Sequence, residues 1–190
     1  MSGTDEGLVA MTSSRETDRQ MLMRMDKEKL VDLLLLHLRN MWSVDGLYYL
    51  GIEQKFGTDS ATEIDAGVWR AMASIEAKRL KKTMGLKGKG VAGVMEALRL
   101  SGWSLDLEDK DIVEGKDEAV FVNTVCRVQN TRVSKGLDVF ACKPVRFGYL
   151  QQFVKEIDPE VSVECVACPP DKLPEGTWCS WRFGGKSRAE

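Results

Sequence analysis

No cysteine precedes Cys126, and histidine occurs once, at His37. A catalytic set built on several histidines is therefore excluded, and His37 is the one imidazole that could serve as base or ligand. No apolar run approaches the roughly 20 residues that a bilayer crossing needs, since Leu33–Leu36 is bounded by Asp32, His37 and Arg39. A signal-peptide core is also missing, because Leu8–Met11 is short and follows Asp5 and Glu6. Neither sign of charge dominates: 29% of residues are charged and the net charge is -2, unlike a protein that binds nucleic acid or anionic membrane through a basic surface. Internal repeats are absent too. These absences predict a cytoplasmic chain with no membrane and no nucleic-acid partner.

What is present is an ordinary globular composition, with 190 residues of which 43% are apolar, enough to bury a core. Residues 1–20 are polar and aperiodic and read as a flexible leader. From Asp26, the residues Leu30, Leu33, Leu34, His37, Leu38 and Met41 recur at helical spacing, predicting a first helix that bends near Asp45-Gly46 and runs to Phe56. A second helix is expected from Ser60, with a Ser60/Glu63 capping box, an apolar stripe of Ala61, Ile64, Val68, Met72 and Ile75, and a stop at Gly85. A third spans about 91–100. Residues 21–101 thus form a helical part.

Beyond Trp103 the period changes to two. Glu118–Cys126, Glu160–Cys165 and Thr177–Phe183 are expected strands, with a weaker one at Ser104–Glu108. Pro144 opens a helix on which Val145, Tyr149, Phe153 and Ile157 repeat every four residues until Asp158-Pro159. The expected fold class is α+β, an N-terminal helical layer packed on a C-terminal antiparallel sheet with a covering helix. Residues 102–184 form the cysteine-rich α+β part, with a soft boundary near Ser101, and 185–190 are a flexible tail.

Five thiols crowd into that second part, at Cys126, Cys142, Cys165, Cys168 and Cys179. In a reducing compartment such a cluster reads as thiols or metal ligands rather than disulfides. Cys165-Val166-Ala167-Cys168 lets two thiolates reach one tetrahedral ion from a tight turn. The expected metal ligands are Cys126, Cys165, Cys168 and Cys179, holding zinc or, as the alternative, an iron-sulfur cluster. Strand alternation puts Cys126 with Val120 and Val122, Cys165 with Val161 and Val163, and Cys179 with Trp181 and Phe183, all facing inward. Burial in separate core niches is the competing reading, as free cysteine is often a core residue. Cys142 lies beside Lys143 just ahead of the Pro144 helix, a setting that favours a reactive thiol, and is the candidate nucleophile.

In the helical part, His37 is the candidate base. Asp45, Tyr49 and Glu53 follow at helical spacing and are the candidate substrate-binding residues. The basic group Lys78–Lys89 suits the negative end of a helix dipole, and Gly85-x-x-Gly88-x-Gly90 lacks the preceding strand of a phosphate loop.

Several motifs together point to a family. They are Trp42-x-x-Asp45-Gly46 with Glu53, Gly57, Ala61, Asp65 and Trp69; Cys126-x-x-Gln129-x-x-Arg132; Cys142-Lys143-Pro144; Ile157-Asp158-Pro159; Cys165-x-x-Cys168-Pro169-Pro170-Asp171; and Trp178-Cys179-x-Trp181-x-Phe183. Over about residues 26–184 the chain resembles a group of uncharacterised cysteine-rich cytosolic proteins of anaerobic bacteria and archaea. These are in turn similar to the L-2-amino-thiazoline-4-carboxylic acid hydrolase-like proteins. The resemblance implies a helical part on an α+β part related in shape to four-vinyl-reductase-type small-molecule-binding domains, and hydrolysis of a cyclic amidine-like C–N bond. It implies no particular catalytic residue. The functional expectation is a small-molecule-binding protein with a thiolate metal site, a hydrolase, with a non-enzymatic redox or metal sensor as the alternative.

Overall fold

The structure is a computed structural model that describes residues 14–185. Residues 1–13 of the expected leader and 186–190 of the expected tail lie outside the described residues. The chain divides into two compact units, residues 1–37 and 38–190.

The first unit holds helix α1 (Arg15–Met23) and the beginning of α2 (Lys27–Phe56). Ser14 caps α1 by accepting from the Thr17 N–H at 3.2 Å, so residues 15–20 are helical where the sequence reads as a loose leader. Asp26 caps α2 in the same way through Glu28 N–H at 2.9 Å.

The second unit continues α2 and adds α3 (Thr58–Met84), α4 (Gly90–Arg99), α5 (Gly102–Asp106), β1 (Asp109–Glu114), β2 (Glu118–Val125), α6 (Arg127–Ser134), α7 (Lys143–Ile157), β3 (Val161–Ala167) and β4 (Cys179–Gly185). The four strands form one antiparallel sheet in the order β1-β2-β4-β3. Helices precede and strands follow, as α+β predicts. Helix α7 packs between α3 and the sheet, and its apolar residues Val145, Tyr149, Phe153 and Ile157 are buried, as their four-residue spacing predicts. With Phe121, Trp181 and Phe183 of the sheet they make the core, where each large apolar side chain contributes about 1.5–3 kcal/mol. Among the described residues, no helix is long and apolar enough to cross a membrane.

Several local expectations are corrected. Helix α2 runs unbroken through Asp45-Gly46. Its core-facing residues are Trp42 and Tyr49 rather than the expected stripe, because Trp42 stacks on Trp69 and Tyr49 packs edge-on against Phe140. Leu30, Leu34, His37 and Met41 are exposed. Helix α3 begins at Thr58 rather than Ser60. Gly57, at φ 87°, reverses the chain so tightly that Ser60 falls inside the first turn, and no Ser60/Glu63 box forms. The buried face of α3 is Ala61, Trp69, Ala73 and Ala77, while Ile64, Val68 and Ile75 are exposed. Small alanines allow α7 to approach closely, which outweighs the apolar size of the other stripe.

Ser104–Glu108 is not a strand. Ser101 accepts from the Ser104 N–H at 3.2 Å and starts α5 there, and the strand comes later as β1, a charged edge strand with little alternation to reveal it. The Gly88 segment is a packing device rather than a phosphate loop: a Cβ on Gly93 would lie 2.3 Å from the Gly88 carbonyl carbon.

Candidate functional site

A cavity of about 350 Å³ opens among α2, α3, α5, α6, the start of α7 and the facing ends of β2 and β4. The size suits a small molecule.

Its helical wall is aromatic. Trp42 lies flat on Trp69, with centroids 4.5 Å apart and planes 9° from parallel. Trp103 stacks on Phe121 at 4.8 Å, tying the wall to the sheet. Into this wall α7 sends Arg146, 6% exposed. Its guanidinium carbon stands 5.6 Å from the Trp42 ring, 5.7 Å from Trp69, 4.6 Å from Trp103 and 4.9 Å from Tyr149. The rings satisfy its charge through their π faces, yet Nε and Nη1 have no hydrogen-bond partner.

Two carboxyl groups stand beside it. Asp45 accepts the Trp69 indole N–H at 3.1 Å, and burial pushes its carboxyl above the ordinary value despite that bond and the Arg146 charge. Asp65 goes further, up to about 7, through burial and then the neighbouring Asp45 charge, with Arg146 and Trp69 pulling the other way. It can therefore hold and release a proton near neutrality.

The opposite wall carries sulfur. Cys126, Cys142 and Cys179 line the cavity, with Cys168 fully buried beside them. Backbone contacts explain the gathering. Asn123 of β2 pairs with Cys179 of β4, setting that thiol against the cavity. The Lys143 N–H donates to the Pro169 carbonyl at 2.9 Å, bringing the Cys142 turn against the Cys168-Pro169-Pro170 turn. A register shift in β3 between Cys165 and Ala167 precedes that turn.

The thiols are not equivalent. Cys168, donating towards Cys142 and Cys179, is held firmly protonated, whereas Cys179 is lowered by that same donor, with Arg146 assisting. Burial pushes Cys126 up to about 11, against two backbone N–H donors from α6. Burial also raises Cys165, with the Lys143 charge opposing.

The grouping differs from the expected ligand set. Cys142, expected as the nucleophile, adjoins Cys168 and shares the cavity wall with Cys179, while Cys165 stands off that wall. The inward face of β2 is Ala119, Phe121 and Asn123 rather than Val120 and Val122. The strand ends before Cys126, which reaches the cavity as the residue preceding α6. Cys165 and Cys179 keep the expected company, Val161 and Val163 for one and Trp181 and Phe183 for the other. Among the described residues, no group of three or more His, Cys, Asp or Glu side chains stands where one metal ion could be held.

Of the other expected residues, Asp45 and Tyr49 line the cavity. Glu53 stands behind the wall, where it accepts two 3.0 Å bonds from Arg132 Nη1 and Nη2. Arg132 in turn lies 5.7 Å from the Tyr49 ring and lines the cavity. His37 is exposed and belongs to the first of the two compact units. Arg146, Asp65 and Asn123 are the residues that sequence reasoning did not single out for a site. Asp65 and Trp69, four apart on a helix, were a usable signal for the first wall.

No curated protein and no solved structure matches this chain. A family match covers residues 23–184, from the end of α1 to the end of β4, and so takes in every residue of the cavity wall. The chain belongs to this family, described as a family of unknown function (DUF6125).

Proposed function

We propose that this protein binds a small molecule in the cavity and hydrolyses a C–N bond of a cyclic amidine-like substrate there. One observation carries the reading: a carboxyl group that titrates near 7, Asp65, faces the same 350 Å³ space as the thiols of Cys142 and Cys179. A thiolate adding to the amidine carbon would leave a tetrahedral adduct. Opening of the ring C–N bond needs a proton on the departing nitrogen, which protonated Asp65 supplies. Water then attacks the enzyme-bound carbon and frees the thiol. Glu53 takes no part in contact and positions Arg132.

The test is incubation of reduced protein with five-membered cyclic amidines and detection of the ring-opened product by mass. Ring opening by the wild type that is lost in Cys142→Ser and in Asp65→Asn supports the reading. Intact rings across the range between weakly acidic and weakly alkaline pH overturn it.

A second reading, a redox or metal sensor, is favoured by the contact of Cys168 with both Cys142 and Cys179. Metal analysis and an absorption spectrum of anaerobically purified protein test it, including zinc or iron on the Cys126, Cys165, Cys168 and Cys179 set. Sub-stoichiometric metal, together with thiols whose oxidation changes no fold signal, overturns it.

A further inference from the structure

We propose that the ligand of this cavity is a small, flat monocarboxylate whose carboxylate is received by the Arg146 guanidinium. The inference deepens the proposed function and rests on the cavity being a ligand site. It begins from an unmet need: a cationic side chain nine-tenths buried has no hydrogen-bond partner for its Nε and Nη1 among the described residues. Trp42, Trp69, Trp103 and Tyr149 stand within 6 Å of its carbon and meet the charge with their faces, but aromatic faces offer no lone pairs in the guanidinium plane. Unpartnered buried donors are costly, and a planar oxyanion with two acceptors is the group that fits the guanidinium fork.

The surroundings narrow the class. The two other arginines of the wall are already engaged, Arg132 with Glu53 at 3.0 Å and Arg127 with Asp106 at 3.1 Å, and Lys135 lies exposed. Asp45 and Asp65 line the same cavity and oppose a second negative charge there. A phosphate dianion is therefore disfavoured against a carboxylate, whose single charge Arg146 alone can match. The stacked indoles favour a flat body behind that carboxylate. A further acceptor without a partner, Asn123 Oδ1, lies 1% exposed in the wall and calls for an N–H or O–H on the ligand.

The probes are benzoate and its neutral isostere benzamide, titrated into the full-length protein while tryptophan emission is followed, since three tryptophans surround the guanidinium. The expected result is a saturable change with benzoate, weaker by about tenfold or more with benzamide. Arg146→Met should lose the benzoate response while keeping a wild-type near-ultraviolet dichroism spectrum. If that variant does not fold, the comparison of the two probes on the wild type decides alone. Equal binding of both probes, or benzoate binding unchanged by Arg146→Met, overturns the carboxylate inference and leaves the cavity reading standing. Binding of neither probe overturns the inference; if cyclic amidines are also left unbound, the cavity reading falls with it.

Discussion

Trp69 donates its indole N–H to Asp45 at 3.1 Å while its ring lies flat on Trp42. One residue of α3 thus joins an aromatic wall to an acidic pair, and the consequences of that junction can be measured.

The first concerns pH. Asp65 rises from the ordinary carboxylate value to about 7 in the folded chain. Between those values the folded chain holds a proton that the unfolded chain has released, so stability is greatest below the window and falls as pH rises through it. Asp45, also raised, acts with the same sign. After allowance for solvent screening, Asp65→Asn should gain about 1–2 kcal/mol over the wild type on the alkaline side of the window. Urea melts on both sides of neutrality check this, and a wild-type stability that rises with pH there contradicts it.

The second concerns the pair behind Tyr49. The side chains of Arg132 and Glu53 are 10% and 16% exposed. Glu53→Ala strands a buried guanidinium and should cost about 3 kcal/mol in chemical denaturation, whereas Glu53→Ala with Arg132→Met should recover much of it. Equal losses in the single and double variants would mean that the pair contributes packing rather than charge.

A third expectation follows from α4. Gly93→Ala places a methyl group 2.3 Å from the Gly88 carbonyl carbon, backbone that cannot yield as a side chain would. The predicted loss is about 2–3 kcal/mol, read as a lower denaturation midpoint. Gly46→Ala, with nothing within 4 Å of the new methyl, is the control and should be neutral or slightly stabilising.

The thiols supply a fourth. Cys179 is lowered, Cys168 held protonated and Cys126 raised to about 11. Limited alkylation with iodoacetamide at neutral pH, mapped by peptide mass, should therefore modify Cys179 before Cys168 and Cys126, although Cys179 is only 7% exposed. Modification of Cys126 first would contradict the assignment.

Much of this architecture was legible in the residues. The four-residue repeat from Val145 to Ile157 marked α7, and period-two runs marked β2, β3 and β4, because their apolar faces meet the core directly. Four elements were hidden: α1 lies in the polar stretch that reads as a leader, α5 occupies part of an expected strand, and two more carry no apolar period. β1 is an edge strand of alternating charge, and α6 is polar and held from outside, by Gln129 exchanging hydrogen bonds of 2.8 and 2.9 Å with the Phe140 backbone. The thiol-bearing half of the site was visible as a cluster in sequence, but its internal arrangement was not. The contact of Cys142 with Cys168 depends on the Lys143 N–H to Pro169 carbonyl bond, which joins segments remote in the chain. Arg146 was invisible for a different reason: an arginine on an apolar helix face reads as a solvated residue until the rings from three other helices close around it.

The account stands on the thiols and the Arg146 cage facing one ligand space. Its most direct test is the alkylation rate of Cys179 measured against that of Cys165, which lies off the cavity wall, with and without benzoate. Benzoate at about ten times its dissociation constant should slow Cys179 by about an order of magnitude and leave Cys165 unchanged. Benzoate that binds yet leaves the Cys179 rate untouched would contradict it.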